Sequence, residues 1–556
     1  MLPRVPLVVA ALACSGLALA GPTAAAGDSA QQGRVFVMGV DGGSWNVIDA
    51  MAAAGELPHL SRLMARGASA RLATVEPVSS PVVWTSIATG RSPEHTGVTD
   101  FFATRLHIRV PTAYERLAGD GVRVGLYDVL MTWPPRTFPG GFVIPGWLRR
   151  DETVTPPDVW QRAGVAAYAN HYQDLLSSED YLALAREDVA RKPGNFLALA
   201  RAFDLEVGAF TIYAPDMTSH RFWHAAYPDA FAELDGEEGL EHGEAVADAY
   251  RGVDTAAGAV SAALRPDDAL IIVSDHGFRA REEGLRNVWV SRSAEILALG
   301  DLFPERDRFR IVGGFGAITL RVHPAPDDSA ESVAERDALV ERLVAHLRSL
   351  RDPEGEPVYR AVLSVDGLGR PESAPRGWLE SAWQWAVRTG LRLAFHVQSR
   401  DGGHATVFAL PHDDRLAALW PGGEIEAAGR RVPVSRVFQR QRFSGAHDPI
   451  GIFIAAGGPF AAVAERGDVS VLDVAPLLFH LSGRGIPDDL EGRLPGELLD
   501  PAWLGAHPPR TVEAAVYPGL PAGHPAARAP AAPADDGSGE PTGELVEKLR
   551  ALGYVE

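Results

Sequence analysis

The residues of this chain whose types and spacing could do chemistry are a hydroxyl at a helix start and several Asp and His residues at strand ends. Ser80 lies in the stretch Pro77-Val78-Ser79-Ser80-Pro81-Val82-Val83-Trp84. This pattern predicts Ser80 as a helix N-cap and Pro81 as the first helical residue, where no amide hydrogen is needed. Gly90 supplies a stop. A hydroxyl in that place sits over unpaired amides at the positive end of the helix dipole, which suits a phosphate or similar anion. A lone Ser-Pro is equally an ordinary capped helix, so the weight falls on three apolar runs that each lead to an Asp. Val35–Val40 precedes Asp41-Gly42-Gly43, Gly208–Ala214 precedes Pro215-Asp216, and Ala269–Ser274 precedes Asp275-His276-Gly277. Each run reads as a buried strand of a parallel sheet. A carboxylate at the carboxyl end of such a strand points into the crevice where α/β sheets bind ligands. Asp-Gly is also a common turn pair, but that does not account for three such ends, two of them with a nearby His. His220 follows Asp216 by four residues and can face the same point if the chain turns into a helix there. His224 is its weaker rival. Gly277 permits the sharp turn that would let Asp275 and His276 converge.

The elements that must position these residues alternate between strand-like and helix-like patterns. Helical periodicity covers Trp45–Ala54, Leu57–Arg66 and residues 179–205, and Val122–Tyr127 reads as a further strand. This alternation predicts an α/β sandwich around a central, mostly parallel sheet. Residues 301–445 are less regular and read as an inserted cap subregion. Within it Val333, Val340, Leu343, Leu347 and Leu350 mark an amphipathic helix. Trp378, Trp383 and Trp385 beside Arg376, Arg388 and Arg392 predict a buried helix, or alternatively a membrane-surface or lid helix. The core resumes at 446–504 with the strand Ile450–Ala456 and the helix Val471–Leu481 capped by Ser470. Residues 505–541 are rich in Pro, Ala and Gly and read as a linker. Glu544–Leu552 reads as a short helix that docks back.

The balance of 52 Lys and Arg against 72 Asp and Glu gives a net charge of −20 in 556 residues. Such a surface repels a nucleic-acid backbone, so binding to nucleic acid as a polyelectrolyte is excluded. A small anionic substrate is not, because bound cations reverse a local field. Cys14 is the one cysteine. It lies in the leader, which leaves the mature chain without a disulfide or a thiol catalyst. Arg4, the apolar run Val5–Ala20 and the small residues Ala18-Leu19-Ala20 predict an export signal over residues 1–20, cleaved before Gly21. That places the protein in the periplasm or outside the cell. The alternative is a lipoprotein anchored through Cys14, the only route by which the chain would meet a membrane.

Taken in order, Asp41, the hydroxyl at a helix start, Asp-x-x-x-His, Asp-His-Gly and the late Gly445-Ala446-His447 resemble the alkaline phosphatase superfamily. The order is most similar to its type I phosphodiesterase/nucleotide pyrophosphatase branch, over about residues 35–493. The resemblance implies an alkaline-phosphatase-like fold over residues 33–300 and 446–504. It also implies two divalent metal ions: Asp216, His220 and His447 would hold one, and Asp41, Asp275 and His276 the other, beside Ser80. His447 enters through the resemblance alone. Mixed imidazole and carboxylate donors suit zinc, with manganese the alternative. The chain departs from the branch in having Ser80 where Thr is common, in lacking an Asn near it, and in carrying His95-Thr96-Gly97 where His-Gly is expected. The sulfatase signature is absent, since Ser80-Pro81-Val82-Val83 does not fit it.

The function implied is an exported, metal-dependent phosphoric ester hydrolase acting on a small phosphate ester, diester or monoester, with Ser80 as nucleophile. Ser79 and Thr85 are competing hydroxyls; Ser79 would lie before the cap and Thr85 a turn into the helix. A reading from another class is an inactive, metal-stabilised extracytoplasmic binding protein for an anionic ligand. The complete set of six ligands and a hydroxyl favours turnover.

Overall fold

A computed structural model describes residues 33–99, 103–149, 152–169, 178–231, 240–282, 284–299, 303–304, 308–312, 318–322, 330–364, 405–463 and 465–516. The leader with Cys14, the Trp/Arg stretch at 376–395 and the terminal segment Glu544–Leu552 lie outside the described residues.

The early strands are β1 (Val35–Val40), β2 (Ala68–Ala73), β3 (Val124–Val129), β4 (Phe142–Pro145), β5 (Val207–Ile212), β6 (Ala269–Val273), β7 (Gly277–Ala280) and β8 (Arg286–Ser291). The inserted region adds β9 (Phe309–Val312), β10 (Ile318–Val322), β11 (Tyr359–Ser364), β12 (Ala405–Pro411), β13 (Glu424–Ala427) and β14 (Arg430–Pro433). Then follow β15 (Phe438–Phe443), β16 (Gly445–Asp448), β17 (Ile450–Gly457), β18 (Gly467–Ser470), β19 (Ile486–Pro487) and β20 (Thr511–Val512).

Eight strands form the central sheet in the order β18-β2-β17-β6-β1-β5-β3-β4. β17 runs antiparallel to both its neighbours, and every other pairing is parallel. β1, β5 and β6 are buried along their whole length. Helices cover both faces of a parallel sheet, so such strands need apolar side chains on both sides. Their carboxyl ends lie side by side, with β1 between β5 and β6. The expected α/β sandwich is the observed architecture.

The inserted region has its own apolar core, running from Trp289 to Phe438. Its four-stranded sheet has the order β11-β12-β10-β9, with the helix Ala330–Ser349 packed against β11 and β12. A two-stranded ribbon ties it to the main body. β7 pairs with β16, and beyond them β8 pairs with β15. The insertion hangs from the outer end of this ribbon, and His276 and His447 lie at the inner end.

Two boundaries differ from the sequence expectation. The chain does not leave the body at 505: β20 pairs in parallel with β19, and Val512 packs on the main core. The rest of the stretch expected as a linker, residues 517–541, lies outside the described residues. In addition, β5 ends at Ile212 and the chain enters the helix Ala214–Ala226 at once. Pro215 in its first turn pre-sets φ for that start. Asp216 is therefore a first-turn helical residue and not a strand tip.

Candidate active site

Asp41 follows β1 directly, and its amide continues the sheet by donating to Ile212 O at 2.9 Å. Gly42 adopts φ +67, and a Cβ there would lie 2.5 Å from the Phe278 ring. Only glycine allows both the turn and this approach. Gly42 N–H donates to Asp275 Oδ1 at 3.2 Å, which draws the tips of β1 and β6 together. Gly277 serves a different purpose from the sharp turn expected. Its backbone begins β7, and a Cβ would meet Ile450 O at 2.4 Å.

Ser80 opens the helix Ser80–Thr89. The N-cap is Ser79, not Ser80: its backbone is extended and its carbonyl accepts the Val83 amide at 2.9 Å. Pro81 is correspondingly the second helical residue. The shift leaves the Ser80 hydroxyl without a capping role, and it faces the crevice. Ser80 Oγ lies 3.5 Å from Asp41 Oδ1 and 3.4 Å from His276 Nε2. Of the competing hydroxyls, Thr85 Oγ1 donates back to Pro81 O at 2.6 Å within its own helix. Ser79 Oγ is buried with no hydrogen-bond partner among the described residues.

Asp216 and His220 lie one turn apart on the helix Ala214–Ala226, with His220 Nε2 3.3 Å from Asp216 Oδ1. His447 arrives on β16, its Nε2 3.1 Å from His220 Nε2 and 3.8 Å from Asp216 Oδ1. His276 Nε2 stands between the two groups, 3.3 Å from Asp275 Oδ2, 3.9 Å from Asp41 Oδ1 and 4.0 Å from Asp216 Oδ1. The structure thus brings all seven singled-out residues, Asp41, Ser80, Asp216, His220, Asp275, His276 and His447, into one crevice. His224 is not among them; it is buried and bonded to Ser444 Oγ at 2.9 Å. His95 lies away from the crevice against Glu491.

The donor atoms fit divalent cations. Asp41, Asp275 and His276 can present one atom each within 4.8 Å of one another, and so can Asp216, His276 and His447. His447 Nδ1 meets Val78 O at 2.9 Å, and His276 Nδ1 meets Gly277 O at 3.1 Å. A carbonyl only accepts, so each Nδ1 carries the hydrogen and each Nε2 turns its lone pair to the crevice. Among the described residues, only imidazoles lie within ion-pair distance of the three carboxylates. Asp275 Oδ2 and Asp216 Oδ1 have no hydrogen bond of good geometry among the described residues, although both are buried. Burial, with Asp275 and Asp216 nearby, holds the Asp41 carboxyl well above the usual range. Burial and Asp216 push Asp275 up to about 7. At Asp216 burial acts upward too, but His220, His276 and His447 together bring it below its ordinary value. Burial, then His447, drives His276 well down, which keeps its ring neutral. Among the described residues, Asp41 and Asp275 have no Lys or Arg within ion-pair distance to offset their burial, and a cation would supply that charge.

Two supports went unread in the sequence. Trp84 Nε1–H donates to Asp41 Oδ2 at 3.0 Å and orients that carboxylate. Lys192, fully buried, lies 2.8 Å from Asp128 Oδ2 and 2.5 Å from Asp188 Oδ1. Asp188 Oδ2 in turn accepts the Tyr213 and Ala214 amides at 2.6 and 3.2 Å, capping the helix that carries Asp216. The only signal for this in the sequence is Asp188-x-x-x-Lys192, which has the spacing of any surface ion pair.

An α/β body with a serine hydroxyl at a helix start among Asp and His side chains from strand ends, a helix and a ribbon strand is the arrangement of the alkaline phosphatase superfamily. The type I phosphodiesterase/nucleotide pyrophosphatase family model matches residues 35–401, and the chain belongs to that family. The family is metal-dependent and its members are hydrolases. No curated protein matches the sequence. Among solved structures, murine ectonucleotide pyrophosphatase/phosphodiesterase 5 is similar at 15% identity, over 84% of this chain and 100% of that one, with a TM-score of 0.36. An inactive form of the same murine protein in complex with AMP is similar at 16% identity over the same shares, with a TM-score of 0.35. The human counterpart gives 15%, 84%, 100% and 0.35. His447 falls beyond the matched span, so in this chain its place in the site rests on geometry.

Proposed function

We propose that this protein is an exported two-metal phosphoric ester hydrolase in which Ser80 is the nucleophile. The observation that carries the reading is the position of Ser80 Oγ, within 3.5 Å of both Asp41 and His276 at the junction of the two Asp/His groups. Asp41, Asp275 and His276 would hold one cation, and Asp216, His220 and His447 the other, zinc being the best match to these donors. Cations so held would neutralise phosphoryl oxygens, lower the pKa of a nearby hydroxyl and activate water. Ser80 Oγ attacks phosphorus in line, its P–O bond forms as the bond to the leaving alcohol breaks, and water then releases the phosphoryl group from Ser80. Trp84 keeps Asp41 oriented while this happens. The first-turn amides of the Ser80 helix favour the negative charge of the substrate.

The leader pattern at residues 1–20 supports export, and mass spectrometry on the protein from its native host should find it removed before Gly21. Among the described residues no helix is long and apolar enough to cross a membrane. The catalytic reading is tested by assaying p-nitrophenyl phosphate, bis-p-nitrophenyl phosphate and p-nitrophenyl sulfate side by side with the zinc-replete protein. Turnover of a phosphate ester without turnover of the sulfate is expected. Zinc uptake with no turnover of either phosphate ester would overturn it in favour of an anion-binding protein.

A further inference from the structure

Ser444 joins β15 to β16, three residues before His447, and is fully buried. Its backbone N–H donates to His220 O at 2.9 Å. That carbonyl is the helical acceptor that the His224 amide would ordinarily use. The His224 amide donates to Ser444 Oγ at 3.0 Å. The same Oγ also hydrogen-bonds the His224 ring at Nδ1, 2.9 Å away. On the other side Ser444 O accepts the Arg281 amide at 2.9 Å, just beyond β7. The neighbouring Gly445 lies so close to the helix that a Cβ would come within 2.4 Å of Ser219 O. Every polar group of Ser444 is thus spent on joining three pieces of chain. These are the helix with Asp216 and His220, the strand that follows His276, and the strand that carries His447.

We propose that Ser444 and His224 form a clamp that positions His447 against Asp216 and His220, so that His224 is a positioning residue and not a ligand. Without the clamp, β16 is tied to β7 by a short ladder, and nothing in that ladder sets its distance from the helix. The Ser444 bonds fix that distance at the turn of helix carrying His220. The inference rests on the two-ion reading given above and adds the residues that make one of the two groups converge.

The test is zinc titration of the metal-free full-length protein against a chromophoric chelator, with kcat and KM on bis-p-nitrophenyl phosphate. Ser444→Ala should leave thermal unfolding cooperative and one zinc tightly held, while the other weakens about 10- to 100-fold, the range found when supporting partners of metal ligands are removed. kcat should fall with KM little changed. His224→Ala should behave the same way. His224→Asn keeps a side-chain hydrogen-bonding partner for the Ser444 hydroxyl and should restore most of the affinity. Parental zinc affinity and kcat in a folded Ser444→Ala protein would overturn the clamp alone. Loss of a zinc in His224→Asn would overturn it by making His224 a ligand. If Ser444→Ala does not fold, the two His224 variants decide by the same comparison. A parent protein that takes up no zinc would instead sink the two-ion reading, and the clamp with it.

Discussion

The two Asp/His groups are built in different ways. Asp41, Asp275 and His276 sit on adjacent strand tips of the central sheet, with side-chain exposures of 2%, 0% and 0%. Asp216, His220 and His447 come from one helix and a ribbon strand, with exposures of 13%, 20% and 9%. The first group is fixed by the sheet register itself, since β1 and β6 pair residue by residue up to the tips. The second depends on packing between segments more than 200 residues apart in the chain, and is set by contacts such as those of Ser444. One half of the site is therefore built into the sheet, and the other is assembled by tertiary packing and is the more exposed of the two.

The largest expected effect lies at the junction of the halves. On the proposed mechanism Ser80→Ala would remove the covalent route but leave all six Asp and His donors in place. Turnover of bis-p-nitrophenyl phosphate should fall by at least about 10³-fold, leaving binding and electrostatic stabilisation alone. Zinc content should stay close to that of the parent. Ser79→Ala and Thr85→Ala should be far milder. Phosphorus trapped on Thr85 would break the assignment. Next in size is His447→Ala, which should cost one zinc per chain and most of the activity while the Asp41 group keeps its ion. Full metal content in that variant would mean that the second group does not use His447.

The same contrast explains what could be read from the sequence. The strand-tip half is written locally: Val35–Val40 and Ala269–Val273 are short apolar runs, and the residue after each run, or one further on, is the carboxylate that reaches the crevice. The sheet positions them with no further information. The other half is not local. The mostly apolar run Gly208–Ala214 predicts Asp216 at a strand end, but the helix Ala214–Ala226, with Pro215 in its first turn, starts two residues after Ile212. His447 has no strand run before it, and its position comes from the ribbon and from Ser444, neither of which has a sequence signature. The Lys192 network has the pattern of a surface ion pair and is fully buried. Whether a charged pair is buried is decided by tertiary packing, which the spacing of residues does not encode.

A chelator should separate the halves in time. Exposure of the Asp216 group to solvent predicts that EDTA removes the first zinc quickly and the second slowly, with activity lost along with the first. Two ions leaving in a single phase would mean that the groups act as one unit through His276, which lies within reach of both.

The smallest effect, and the sharpest test of the contrast, is on the stability of the metal-free protein. The Asp275 carboxyl is raised from 3.8 to about 7 in the fold. Between those values the folded state binds a proton that the unfolded state has lost, so stability falls as pH rises through that window. Asn mimics the protonated form and carries no such cost. Asp275→Asn should therefore gain thermal stability over the parent between about pH 4 and pH 7, with the gain level above that. Asp216 is shifted the other way, because its three imidazoles outweigh its burial. Its contribution is present above its unfolded value and lost as pH falls through the folded one. At pH 5, above the unfolded value, Asp216→Asn should therefore lower the melting temperature. Melting curves in EDTA at pH 5 and pH 8 decide the matter. Shifts of the same sign in both variants would mean that the two groups share one electrostatic environment and that the division drawn here is only one of position.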